Sequence, residues 1–271
     1  MRVSIAGITC EVEGLEGWAL GALADQRFAA FLSSDPADFT ARLAVREPIR
    51  KTDVDLEQPM VVMEKLDDDV LSVCRVDNPF EATIDFAQRI ADVDLNENLY
   101  CLDSFMRILY SILLARDGGL LLHSAAVSSE GRGSLMVGVS EAGKTTLCRQ
   151  GFETVLSDEL VAIRRTAEGF RAFGTPFWGE FVAGPVCEEA DVAALYLLRK
   201  GPRYEVRPVA VGRAVMEVLG CVFFFGPSEL SPSVLELAGD LVESRLRGEF
   251  YCRPEPGVVP FLDEELSRNA S

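Results

Sequence analysis

Gly138-Val139-Ser140-Glu141-Ala142-Gly143-Lys144-Thr145 decides how the rest of the chain is read. Glycines at the first and sixth positions and a Lys-Thr pair at the end match the G-x-x-x-x-G-K-[ST] phosphate-binding loop at every fixed position. The context fits too. Ser134-Leu-Met-Val-Gly138 reads as a strand running into the loop, and Lys144-Thr-Thr-Leu-Cys148 reads as the opening of a helix. In such a loop, backbone N–H groups surround a phosphate chain, the lysine bridges its outer oxygens and the hydroxyl ligates Mg²⁺. The expected nucleotide contacts are Gly138, Val139, Ser140, Glu141, Ala142, Gly143, Lys144, Thr145 and Thr146. Glu141 is the unusual member, because a carboxylate close to a polyphosphate is unfavourable unless it points outward or meets a cation.

Working outward, a loop of this kind needs an acidic partner for its metal ion. Ser157-Asp158-Glu159 follows the short apolar stretch Thr154-Val-Leu and supplies it, with Asp158 expected as metal ligand or base. Adjacent residues of a strand point to opposite faces, so one acid is expected to face the nucleotide and the other not. His123, the only histidine, lies on the apolar stretch LLLHSAAV (120–127) that leads to the loop-bearing strand. It is the one side chain expected to titrate near neutral pH without special tuning.

The stretch LLHSAAVSSEGRGSLMVGVSEAGKTTL (121–147), followed by LSDELVAI (156–163), resembles the HPr kinase/phosphorylase-related family; GTPFWGE (174–180) resembles its continuation in the smaller relatives. The likeness covers about residues 100–200 well and the flanks loosely. It implies an α/β fold with the P-loop core shared with phosphoenolpyruvate carboxykinase, preceded by a β-rich N-terminal region. It also implies ATP and Mg²⁺ as cofactors. Asp158 would be the base that takes the acceptor's proton, His123 would stand beside the γ-phosphate, and Thr145, Asp158 and Glu159 would hold the metal. This chain departs from the family at Glu141, usually glycine, and at Glu159, which replaces the second of two aspartates. The E-x-R-G-x-G run used for dephosphorylation is missing, which argues against phosphorylase activity and against HPr itself as substrate.

The flanks set the domain expectation: a β-rich region over residues 1–98 and a P-loop kinase-like nucleotide-binding domain over residues 99–271. Up to about Leu95, short alternating stretches (VSIAGITCEVEG, FTARLAV, PMVVMEKL, VLSVCRV, FEATIDF) are punctuated by the turns Asp67-Asp-Asp69 and Asp77-Asn-Pro79. Leu102, Phe105, Met106, Leu109, Ile112 and Leu113 then recur at helical spacing, and Asp117-Gly118-Gly119 ends the helix. Beyond the acids come strand-like LVAIRR (160–165), FRAFGTP (170–176), ALYLLRK (194–200) and EVRPV (205–209). Helical stretches near 210–220 and 234–247 lead to a last strand, FYCRPEP, and SRNAS at the end has little apolar content to bury.

Composition narrows the function classes. With 43 acidic against 26 basic residues, the formal net charge of −17 repels nucleic acid and anionic membranes. Seven scattered cysteines without a C-x-x-C pair indicate neither a disulfide framework nor a zinc site. No targeting segment or membrane span is visible, so a cytoplasmic protein is expected. The expected activity is transfer of the γ-phosphate of ATP to a serine-type hydroxyl of a peptide, protein or small molecule, with homo-oligomerisation left open. The alternatives are a nucleotide-binding regulatory protein that binds a partner without turnover, and a carboxykinase acting on a small oxo-acid. Arg149, Arg199, Arg213 and Arg253 are the candidate contacts for an anionic acceptor.

Overall fold

The computed structural model describes residues 1–46, 60–139, 141–179, 186–253 and 257–268. Ser140, Pro59 of PMVVMEKL, Glu180 of GTPFWGE, Pro254-Glu-Pro256 of the expected last strand and Asn269-Ala-Ser271 lie outside the described residues. The chain is mixed α/β, mostly sheet with fewer helices, and it divides into two compact units, Met1–Tyr110 and Ser111–Ser271.

The first unit holds β1 (Arg2–Ile5), β2 (Ile8–Glu13), α1 (Ala19–Phe28), β3 (Phe39–Arg46), β4 (Val61–Asp67), β5 (Val70–Arg75), β6 (Phe80–Asp85) and β7 (Ile90–Asn96). These strands form one seven-stranded sheet in the order β1-β2-β3-β7-β6-β5-β4. Ala6 and Gly7, both at positive φ (51° and 81°), make the tight turn that pairs Ile5 with Ile8. The alternation read from the sequence holds: Ala41, Leu43, Val45, Ala82, Ile84, Ala91, Val93 and Leu95 are buried, while Arg42, Glu81 and Asp92 between them are exposed or half-exposed. Helix α2 (Leu99–Arg116) starts earlier than its apolar stripe suggests. In this unit its buried Tyr110 hydroxyl donates to the carbonyls of Val3 (2.8 Å) and Ile8 (3.1 Å).

The second unit contains β8 (Gly119–Ser129), β9 (Arg132–Val137), α3 (Lys144–Cys148), β10 (Thr154–Ser157), β11 (Leu160–Thr166), β12 (Gly169–Phe173), β13 (Glu189–Lys200), β14 (Glu205–Arg207), α4 (Val211–Leu219), β15 (Val222–Phe223), α5 (Ser231–Arg245), β16 (Leu246–Cys252) and α6 (Val258–Arg268). Strand pairing closes on itself: β8 pairs with β11, β11 with β12, β12 with β13, β13 with β9, and β9 with β8. Apolar residues fill both faces. Leu120, Leu122, Val137, Leu195 and Leu197 pack with Ala214 and Val218 of α4 and with Leu237, Leu241 and Val242 of α5. Ala125, Val127, Met136, Tyr196 and Phe250 pack with Leu147 of α3 and with Val258, Leu262 and Leu266 of α6. Each fully buried leucine of this kind contributes roughly 2 kcal/mol. Helix α6 was not anticipated from the sequence, although its buried residues follow a four-residue spacing. No helix among the described residues is long and apolar enough to cross a membrane.

Candidate active site

The loop of residues 138–143 leaves β9 at Val137 and enters α3 at Lys144. Gly138 is required by contact: a Cβ there would meet the Ala142 Cβ at 2.8 Å and the Leu198 carbonyl at 3.2 Å. Gly143 is required by conformation, with φ of 105°. Between them the Ala142 N–H donates to the Val139 carbonyl at 3.1 Å, folding the loop back on itself. Glu141 has φ of 65°, so a glutamate occupies a left-handed position that glycine takes without steric cost, and its side chain is exposed. That geometry gives a physical reason for glycine at this place in related loops.

Lys144 is 7% exposed, and its ammonium donates to the carbonyls of Gly138 (2.8 Å) and Val139 (3.3 Å). Burial pushes its pKa below the usual lysine value, an effect the negative charges of Glu159 and Asp158 only partly offset. Thr146 is exposed on the outer side of the helix.

The acid pair does not sit on a strand, as alternation had suggested, but in a break within one. Ser157 pairs with Ala126 and Leu160 pairs with His123, so β10 and β11 run along β8 in a single register on either side of Asp158-Glu159. The register slips by one residue between Val155 and Ser157, and local irregularities of this kind re-aim side chains next to functional sites. Glu159 stays tied to the ladder: its carbonyl accepts from the Ser124 N–H at 3.0 Å, and its own N–H donates to the Ser157 hydroxyl at 3.1 Å. Asp158 is 4% exposed, and its two oxygens accept from the Thr145 hydroxyl (3.1 Å) and the Gly179 N–H (2.8 Å).

His123 is half-buried on β8, on the same face as Ala125 and Val127 and therefore on the side where α3 packs. Its main-chain N–H donates to the Cys221 carbonyl at 2.7 Å. Burial raises the pKa of the Cys221 thiol, and the positive charge of Lys144 offsets only part of that rise. Lys144, Thr145, Asp158, Glu159 and Cys221 thus form one interacting group, with His123 joined to it through the backbone.

Sequence reasoning missed two members. Gly179 lies in the quoted GTPFWGE stretch, but its role as a backbone donor to Asp158 was not legible; a Cβ there would stand 3.2 Å from the carboxylate. Cys221 carried no signal, since its approach to Lys144 is made only by the fold. Two of the candidate arginines are occupied by the protein's own acids. Arg199 binds Glu217 through both carboxylate oxygens (2.8 and 2.6 Å) and Glu249 at 3.1 Å, and Arg213 bonds to the same two glutamates.

Residues 90–221 match a family model described as SynChlorMet cassette protein ScmC. The ScmC-like stretch takes in His123, the loop of residues 138–143, the acid pair, Gly179 and Arg199, and ends on Cys221. No curated protein matches the chain.

The metal assignment to Thr145, Asp158 and Glu159 meets a site of hard oxygen donors. Among the described residues, no group of three or more His, Cys, Asp or Glu side chains could hold an ion without help. Mg²⁺ is commonly held by one or two protein oxygens together with substrate phosphates, so the donor set fits that use.

Proposed function

We propose that this chain is a cytoplasmic ATP-dependent kinase with an HPr-kinase-like core of the phosphoenolpyruvate carboxykinase type, transferring a γ-phosphate to a serine-type hydroxyl. The observation that carries the reading is the hydrogen bond of 3.1 Å between the loop's Thr145 and the buried Asp158, on a loop whose glycines are required by contact and conformation. The ammonium of Lys144, now bonded to loop carbonyls, has the reach to turn outward onto phosphate oxygens. In transfer the acceptor oxygen forms a bond to the γ-phosphorus, the bond to the β–γ bridging oxygen breaks, and ADP leaves with that electron pair. The acceptor's proton goes to Asp158, oriented by the Gly179 N–H. Mg²⁺, when bound through Thr145, Asp158 and Glu159, supplies charge neutralisation on the phosphates.

The test is thermal or denaturant unfolding with Mg-ATP. At a hundredfold excess over the dissociation constant, linkage stabilises the fold by about 2.7 kcal/mol, and Lys144→Ala removes that gain. No stabilisation by any nucleotide at millimolar Mg²⁺ would overturn the proposal. A second reading, a nucleotide-binding regulator without turnover, draws on the strained Glu141 in the loop; it expects the same stabilisation with no ADP formed in the presence of any acceptor.

A further inference from the structure

Helix α3 has two working faces. Lys144, Thr145 and Cys148 turn toward the acid pair: Thr145 bonds Asp158, and the Cys148 thiol reaches the Ser157 carbonyl at 3.9 Å. Gly143, Thr146, Leu147 and Gln150 recur at three- and four-residue spacing and line a cleft of about 370 Å³ on the other flank. The opposite wall is made by the ends of β13 and β16, where Lys200, Gly201, Cys252 and Arg253 meet. Gly201 keeps those strand ends close, because a Cβ there would lie 2.9 Å from the Tyr251 Cβ.

The lining has a distinct chemistry. In a chain with 43 acids and 26 bases, the charged residues of this cleft among the described residues, Lys200 and Arg253, are both cations. Arg253 is held in place over the Tyr204 ring, with its guanidinium carbon 5.1 Å from the ring centroid. Ala142 and Cys252, both half-buried, offer apolar surface, and Gln150 adds one amide. The cleft is within the size range of small-ligand sites, which are largely apolar with a few placed polar groups.

We infer that this cleft takes the nucleoside of the phosphate donor, with Ala142 and Cys252 against the base, Gln150 at its edge and Lys200 beside the sugar. This rests on the nucleotide-binding reading above and gives it a direction. The phosphate chain runs from Thr146 across the loop to Lys144, so the nucleoside and the acid pair lie on opposite flanks of α3. An acceptor then approaches from the Asp158 side without crossing the nucleoside.

The experiment measures Mg²⁺-dependent binding of ATP and of inorganic tripolyphosphate to the full chain by calorimetry. The parent is expected to bind ATP at least tenfold more tightly than tripolyphosphate. Gln150→Trp, which fills the cleft from a half-buried position, is expected to lower ATP affinity at least tenfold and leave tripolyphosphate within twofold. Lys200→Ala, at an exposed residue, is expected to act in the same sense more weakly, and its fold is checked by its unfolding midpoint. Equal parent affinities for the two ligands, or equal losses in the variants, would overturn the nucleoside assignment while leaving the loop as a phosphate site. A parent that binds neither ligand would overturn the nucleotide reading and the assignment with it.

Discussion

The two units each bury an aspartate, and they treat it differently. In the first unit Asp103 accepts from Arg27 through two nitrogens (3.1 and 2.9 Å) and from Arg107 at 2.6 Å, with all three side chains no more than 15% exposed. In the second unit Asp158 accepts from a hydroxyl and a peptide N–H, which are neutral donors. A carboxylate locked between guanidinium groups has its charge balanced and its lone pairs used. Asp158 has the loop's Thr145 and the Gly179 N–H among its donors, and its charge acts on the Lys144 ammonium. Two buried aspartates thus differ in surroundings: one is bound to two guanidinium groups, the other is bonded to a loop hydroxyl beside a buried ammonium.

This contrast can be broken at its strongest point by Asp158→Asn. The amide keeps the size of the side chain and its bond to Thr145 but cannot take a proton, so turnover should fall by about 10² to 10⁴ while Mg-ATP still stabilises the fold. Transfer at the parent rate would make Asp158 structural and erase the distinction. The complementary change, Asp103→Ala, removes the carboxylate that two largely buried guanidinium groups share and should cost roughly 3–5 kcal/mol in stability. Urea unfolding measures it, and a loss below about 1 kcal/mol would show that the arginines find water at little cost. The smallest effect is expected for Glu141→Gly, which relieves a left-handed glutamate and should raise stability by about 1 kcal/mol. Because the side chain is exposed, ATP affinity should change little; a hundredfold gain would place its carboxylate against the phosphates and favour the regulatory reading.

Much of this was legible in the sequence, for identifiable reasons. The loop and its flanking β9 and α3 carry their geometry in the residues themselves, since Gly138 and Gly143 are the types that the contacts and dihedrals require. Strands β8, β11 and β13 are buried on both faces and read as apolar runs. Helix α1 was hidden because its stripe of Leu20, Ala24 and Phe28 is narrow and its other face carries no strong contrast. Helix α6 was hidden by its surroundings: Pro254, Pro256 and Gly257 signal irregular chain just before it, and Pro260 sits in its first turn. The single register shared by β10 and β11 depends on pairing with β8, some thirty-five residues earlier, and nothing local encodes it. The same holds for Cys221 and Gly179, which reach the site only through long-range folding.

That shared register has a mechanical consequence. His123, Ser124, Glu159 and Leu160 are rungs of one hydrogen-bonded ladder, with Asp158 fixed at the next step. Their spacing is then set like marks on a ruler, and it changes only when the ladder itself opens. Amide hydrogens at Ser124 and Leu160 should exchange with solvent as slowly as those of the deepest strands. A bound molecule must therefore fit the spacing of the acid pair as the ladder sets it.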